Sequence, residues 1–416
     1  MARTEKLYWS EPHGTSFETR GVTLSEHEGK ASLLLDRTLF YPEGGGQLGD
    51  SGTIAIGTSL LRIADTRITD DGTIHHVLAE ALPESVRELV GPDATARGAI
   101  DASRRRDHMV QHTAQHALSR ALADEARAET ISARLGATTC TIDVGRASIP
   151  EIELHRAEDL VNALATSDVT VKAIYPSASE LGKLPLRKQP KVAGDEVVRI
   201  IDIESFDMTP CGGTHCTRTG QIGQVRIVGL EKYKGGLRIT FHAGPRALAD
   251  ARAKHAALAA MAADLTCGVL DVPQAVTKLR AEMKAARTQL EGARTELAEL
   301  LAKQLRAALP EGERPIVLPV MRPNDDVSAL RVLAGKLAEE PRVVALCGAS
   351  DPESGELVLV VQRGKAGVLD CGSFVLAQAK ARSGRGGGRP ERAEGRFPRG
   401  TSLEVLAAAA SAATEA

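Results

Sequence analysis

Residues 104–126, RRRDHMVQHTAQHALSRALADEA, decide how the middle of this chain folds. The stretch is built of strong helix formers without Gly or Pro, and it predicts a long helix. His112 and His116 sit one helical turn apart on one face, so both imidazoles can reach a single ion. Far along the chain, CGGTH at 211–215 repeats that spacing with Cys211 and His215, and Gly212 and Gly213 between them argue for a tight turn. The two pieces read as halves of one site, a Cys/His₃ set around a roughly tetrahedral zinc with ligands at about 2.0–2.3 Å. His108, one turn before His112, extends the face; a surface histidine is the plainer reading and a proton shuttle the sharper one.

Four protein ligands point toward a closed, structural site. Against that, a helix and a distant glycine turn carry the ligands, so the ion would lie between two elements where a pocket can form. There it could organise the pocket, engage a substrate amine or hydroxyl, or pull the pKa of a bound water toward about 7. These roles stay open at the level of sequence.

Working outward, residues 1–95 alternate short apolar runs (ASLLL, TIAI, LLRIAD) with Gly and Asp turns, which predicts a small antiparallel β-barrel. Residues 96–245 mix the histidine helix with a second helix at 149–166. Strands are expected at 138–144, 169–175, 196–203, 223–233 and 237–243, an α+β pattern. From 246 to 310 the composition shifts to Ala, Leu, Lys, Glu and Arg. Val276, Leu279, Met283, Ala286, Leu290, Ala293, Leu297 and Leu300 form a heptad seam, suited to a helical coiled-coil hairpin, a homodimer coil, or packing on the protein itself. Pro273 marks the start of that helix. Residues 311–416 return to alternating strand and helix, a small α/β domain whose end, SGRGGGRPERAEGRFPRG at 383–400, reads as a glycine-rich loop.

With 416 residues the chain can bury several cores, and its net charge of −2 confines any nucleic-acid contact to local patches. Arg385, Arg389 and Arg392, with Arg382, Arg396 and Arg399 around them, make such a patch, for phosphate contact or simply as a solvated loop. Six scattered cysteines and no long apolar run predict a cytoplasmic protein with reduced thiols and no membrane partner. YPEGGGQLGDSG at 41–52 lets backbone N–H groups approach a ligand, with Gln47 and Asp50 as polar tips, but it lacks the GK[ST] of a P-loop.

Three ordered blocks, DRTLFYPEGGGQLGDSGTI, HTAQH and CGGTHCTRTGQIG, resemble the hallmarks of the alanyl-tRNA synthetase editing domain. The tail resembles that enzyme's helical segment and its DHH-associated C-terminal domain, through GGGRPERAEG. Nothing resembles the aminoacylation half, so the chain is similar to the long-form alanyl-tRNA editing proteins, the AlaX family, from about residue 5 to its end. The resemblance implies a zinc-dependent hydrolase that cleaves the ester of tRNA(Ala) mischarged with serine, and often with glycine. It implies His112, His116, Cys211 and His215 as ligands, and Gly44, Gly45, Gly46 and Gln47 as lining for the tRNA 3′ end. Thr38 and Thr214 join that lining, and Thr130 or Ser132 supplies a serine-discriminating hydroxyl. Cys216, where the family more often has a branched aliphatic, is expected in a pocket wall or the core. Two other readings remain: a non-catalytic tRNA-binding protein with a structural zinc, and, more distantly, a phosphodiesterase, for which the DHH triplet is missing.

Overall fold

The structure, a computed structural model, describes residues 4–190 and 198–415, which form two compact units, Met1–Ala260 and Met261–Ala416. In the first unit, six strands close into a barrel: β1 (Ser16–His27), β2 (Lys30–Leu35), β3 (Gly52–Ile56), β4 (Ser59–Ile68), β5 (Ile74–Leu78) and β6 (Gly91–Ile100), in the order β1-β2-β5-β4-β3-β6. Alternation drives this: the inward residues Phe17, Val22, Leu33, Leu35, Ile54, Ile56, Leu61 and Ile63 fill one core. The β1 register shifts between Arg20 and Val22, where Gly21 has φ +74° and a Cβ would meet the Asp36 carboxylate at 2.3 Å. The expected barrel is present, and it extends to Ile100.

Helix α1 (Ala102–Ala126) leaves the barrel directly, capped by Asp101, whose side chain accepts from the N–H groups of Ser103 and Arg104. Most of its length is buried, because an antiparallel sheet and a second helix, α2 (Glu151–Ser167), pack around it. That sheet runs β12-β13-β8-β7, from β7 (Thr130–Leu135), β8 (Cys140–Val144), β12 (Val225–Tyr233) and β13 (Gly236–Ala243). A buried amide joins helix to sheet: Gln111 donates to Ala243 O (2.9 Å) and accepts from Ala243 N–H (3.1 Å). A three-stranded sheet of β9 (Val171–Ile174), β10 (Ile200–Ile203) and β11 (Asp207–Pro210) carries the chain into the 211–215 turn. Of the strand expected at 196–203, residues 196 and 197 lie outside the described residues.

Helix α3 (Pro245–Asp264) carries the chain from the first unit into the second. In the second, α4 (Val272–Ala307) begins with Pro273 at its first turn and packs Ala298 and Ala302 against α5 (Val327–Leu337) and one sheet face. The five-stranded sheet runs β14-β15-β16-β18-β17, from β14 (Ile316–Met321), β15 (Val343–Ser350), β16 (Leu357–Arg363), β17 (Arg385–Gly388) and β18 (Arg392–Phe397). Helices α6 (Cys371–Ala381) and α7 (Leu403–Glu415) share the core on its other face. On α4, Leu279, Met283, Leu290, Leu297 and Leu300 of the heptad seam stand 45–67% exposed. Among the described residues, no single helix is long and apolar enough to cross a membrane.

One expectation needs correction. The glycine-rich segment at 383–400 is a β-hairpin, not a loop. Its glycines answer to contact: a Cβ on Gly388 would lie 2.4 Å from Arg392 O, and one on Gly386 2.5 Å from Glu394 O. Two of its arginines make ion pairs, Arg385 with Glu356 (2.9 Å) and Arg396 with Asp351 (2.7 Å), while Arg389 and Arg392 stand exposed at the turn.

Within the barrel, His76 donates from Nδ1 to Leu33 O (2.9 Å) and accepts at Nε2 from the Thr38 hydroxyl (2.8 Å). Burial lowers its pKa from 6.5 to about 4. Between those values the unfolded chain binds the extra proton, so stability falls as pH drops through that window. From pH 7 to pH 5, the urea-unfolding free energy of the wild type should fall by about 2 kcal/mol more than that of His76→Gln.

Candidate metal centre

The metal centre depends first on how the barrel's 39–50 segment docks on α1. The Arg105 guanidinium pairs with the Asp50 carboxylate and donates to the carbonyls of Leu39 and Pro12; both ionic side chains are almost wholly buried. Asp50 also accepts from Tyr41 N–H (2.7 Å), and Arg104 donates to Gly49 O (2.9 and 3.0 Å). So fixed, the loop turns tightly between Gly44 and Gln47, and Gly46 O accepts from Leu135 N–H (2.8 Å). Gly46 has φ +85°, and a Cβ there would lie 2.5 Å from Ala133 O.

This docking carries Gln47 to His112. The Gln47 Oε1 accepts from His112 Nδ1 (2.7 Å) and Thr214 N–H (3.1 Å), while its Nε2 donates to Thr214 Oγ1 (2.9 Å). An amide oxygen only accepts, so His112 carries its proton on Nδ1 and turns a bare Nε2 toward Cys211 Sγ at 3.4 Å. His215 repeats the pattern. The Thr113 hydroxyl gives its proton to Met109 O (2.8 Å), so it accepts from His215 Nδ1 (3.3 Å), and His215 Nε2 faces Cys211 Sγ at 3.4 Å. His116 completes the group, with Nδ1 3.8 Å from Asp207 Oδ2.

Donor atoms of His112, His116, Cys211 and His215 all lie within 4.8 Å of one another. Ligands on a tetrahedral zinc stand about 3.3–3.8 Å apart, and the two sulfur–nitrogen distances fall in that range. The glycine turn is obligatory here: a Cβ on Gly213 would lie 2.2 Å from the His112 ring. Arg199 clamps the turn through the carbonyls of Cys211 (2.7 Å) and Gly213 (2.9 Å), and Trp9 Nε1 donates to Gly212 O (2.8 Å).

Burial keeps the imidazoles in the form a metal needs. It holds His112 and His215 well below the usual range, with neighbouring histidines adding to the effect. Burial, then the Arg187 charge, brings His116 down to about 3. The Cys211 thiol is pushed up by burial, opposed by the Gly213 N–H at 3.3 Å and by Arg199. Three neutral imidazoles and a thiol that deprotonates on binding make a donor set suited to a borderline-soft divalent cation.

The remaining side chains singled out in the sequence are engaged elsewhere or packed in the core. Thr38 is buried, its hydroxyl taken by His76 and Phe40 N–H (3.0 Å). Thr130 is buried and donates to Ser119 Oγ (2.8 Å); exposed Ser132 donates to Asp143 (2.7 Å). Cys216 lies in the core, its N–H donating to Thr113 Oγ1 (3.0 Å). His108 corrects an expectation: it is buried, with Nδ1 unbonded and a pKa lowered to about 4 by desolvation, not a surface histidine. A separate cavity of about 400 Å³ opens beside the start of α1, lined by Arg105, Arg106, Met109 and Cys216 among others, and none of the four donor side chains lines it. Sequence reasoning missed Thr113, Arg187, Arg199 and Asp207. Thr113 beside His112 and Asp207 four residues before Cys211 were the signals within reach.

With this geometry established, likeness to known proteins becomes informative. Residues 198–240 match the threonyl and alanyl tRNA synthetase second additional domain, and residues 16–89 match the class II (A) tRNA synthetases. The alanine–tRNA ligase of Synechocystis sp. is 33% identical over 377 residues, 87% of this chain and 42% of its own length. The alanine–tRNA ligase of Haloquadratum walsbyi is 30% identical over 97% of this chain and 43% of its own. The chain is similar to alanine–tRNA ligases over most of its length. It spans about two-fifths of the length of the curated relatives it matches. The C-Ala domain from Aquifex aeolicus alanyl-tRNA synthetase aligns at 15% identity over 26% of this chain and all of that one, with a TM-score of 0.23, too low to carry any argument about fold. Gln47 lies in the class II synthetase match, and Cys211 and His215 lie in the second-additional-domain match.

Gln47 joins the barrel loop, His112 and Thr214, so its loss should loosen the donor set without unfolding the barrel. Gln47→Ala is expected to weaken zinc binding about 10- to 100-fold in competition with a chromogenic chelator, with far-UV circular dichroism unchanged.

Proposed function

We propose that this protein hydrolyses the ester of tRNA(Ala) mischarged with serine, and also with glycine, at a zinc held by His112, His116, Cys211 and His215. The observation that carries the reading is the convergence of these four donors, from two distant segments, beside a glycine-rich loop in a chain related to alanine–tRNA ligases. The chemical need is plain. A synthetic pocket that accepts alanine rejects a slightly different side chain poorly, so fidelity calls for a second, hydrolytic site. Zinc bound there supplies electrostatic attraction for the amino or hydroxyl group of the seryl moiety.

The chain's own residues do the rest. Gln47 and Thr113 hold two imidazoles in the tautomer that turns Nε2 inward. The loop at Gly44–Gly46 offers close backbone approach to the ribose and the ester, and Arg199 keeps the CGGTH turn closed against the donors. The editing reaction falls to residues 96–245 with the barrel loop, and Arg385, Arg389 and Arg392 serve as phosphate contacts on the 311–416 domain. The work belongs in the cytoplasm, where charged tRNA is used.

Four protein ligands also fit a structural zinc in a tRNA-binding protein without catalysis. One experiment separates the readings: incubation with labelled Ser-tRNA(Ala) and Ala-tRNA(Ala), following acid-precipitable label, alongside metal analysis. Editing requires rapid release of serine and slow release of alanine. Cys211→Ala should lower serine release by at least about 100-fold while tRNA affinity changes less than threefold, and undiminished release by a verified metal-free variant would reject the proposal.

A further inference from the structure

Each imidazole in the cluster needs an acceptor for the proton on its outer nitrogen. His112 has the Gln47 amide at 2.7 Å and His215 has the Thr113 hydroxyl at 3.3 Å. His116 alone lacks one: its Nδ1 is buried without a hydrogen-bond partner, and Asp207 Oδ2 stands 3.8 Å away. With Nδ1 facing Asp207, His116 turns Nε2 toward the other donors, and that tautomer places an N–H opposite the carboxylate.

Asp207 is held in place. Its side chain is fully buried; Oδ1 accepts from Arg187 Nε (2.8 Å), while Oδ2 accepts from Arg187 Nη2 (3.3 Å) and the Thr209 hydroxyl (2.8 Å). Arg187 is itself fixed, because its N–H donates to Met208 O (2.9 Å). A carboxylate offers about four acceptor sites, so three bonds leave one for an imidazole N–H. A shift of under about 1 Å brings Nδ1 into bonding range.

We infer that Asp207, held by Arg187, is the positioning residue for His116, and that the Nδ1–H···Asp207 bond closes when the metal draws the ring inward. The inference rests on the zinc reading proposed above. Three acceptors of different chemistry (amide, hydroxyl and carboxylate) then orient the three rings. Only the carboxylate strengthens its imidazole as a donor, because it brings a negative charge, and Arg187 moderates that charge. The plain alternative is a buried ion pair that merely ties the 187 segment to β11.

The test uses the full-length protein, with zinc affinity measured by chelator competition and the visible absorption of the cobalt(II)-substituted form as a second readout. Asp207→Ala is expected to weaken zinc about 10- to 100-fold and to change the cobalt spectrum. Asp207→Asn, whose amide oxygen can still accept, is expected to lose less, and it decides the matter should the alanine variant not fold. Arg187→Met separates the two roles: it should lower the urea midpoint while keeping zinc affinity within about threefold, because the Thr209 hydroxyl still holds Asp207 Oδ2 on the His116 side. Wild-type zinc affinity and cobalt spectrum in Asp207→Asn and in any folded Asp207→Ala protein would overturn the inference. Serine release from Ser-tRNA(Ala) is followed separately: a wild type that binds zinc through Asp207 yet releases no serine would sink the hydrolase reading and leave this one standing.

Discussion

The buried pairing of Arg105 with Asp50 is the constraint on which the metal centre rests. A guanidinium and a carboxylate taken from water together gain little net stability, but removing either partner strands the other, at a cost of about 3–5 kcal/mol. Here the pair is further satisfied by the Leu39 and Pro12 carbonyls and by the Tyr41 N–H. The consequence is positional. Gln47 lies three residues before Asp50, so docking Asp50 at the start of α1 delivers Gln47 two turns further along the same helix, to His112. The barrel is therefore part of the centre, although none of the four donors comes from it.

Burial does two opposed things to those donors. It keeps three imidazoles neutral, so they do not repel one another or an arriving cation, and it makes the thiol harder to ionise. The opposition is eased by Arg199, which sits against the turn and favours the thiolate. Metal binding must then release the Cys211 proton, which makes affinity rise with pH while the imidazoles contribute little to that dependence.

Much of this was legible in the sequence, and for physical reasons. Helical spacing alone put His112 and His116 on one face, and paired glycines alone made the 211–215 turn. Alternating apolar residues gave the barrel its strands. What could not be read were contacts whose partners are far apart in the chain. Gln47 meets His112 across 65 residues, and Thr113 meets His215 across 102. Nor does sequence reveal how deeply a helix is buried: His108 has a polar neighbourhood in the chain, but packing around α1 encloses it. The 385–397 hairpin was misread because glycine serves flexibility and close packing alike, and only the neighbouring backbone tells them apart.

That burial also narrows how a ligand could be recognised. Thr38, Thr130, Thr214 and Gln47 are all buried, and their polar groups already bond within the protein. A ligand that displaced one of these bonds would meet its cost in a low-dielectric interior. By contrast, Gly45 and Gly46 are exposed and carry no side chain to stand in the way. In the proposed reading, a ligand arriving there meets main chain first, so the loop selects by shape and by the direction of its N–H groups. The threonine and glutamine side chains then act at one remove, by keeping that main chain and the imidazoles behind it from moving. Selectivity built this way depends on rigidity more than on any single hydroxyl, which accords with an ion pair, an amide bridge and two positive-φ glycines gathered in one ten-residue loop.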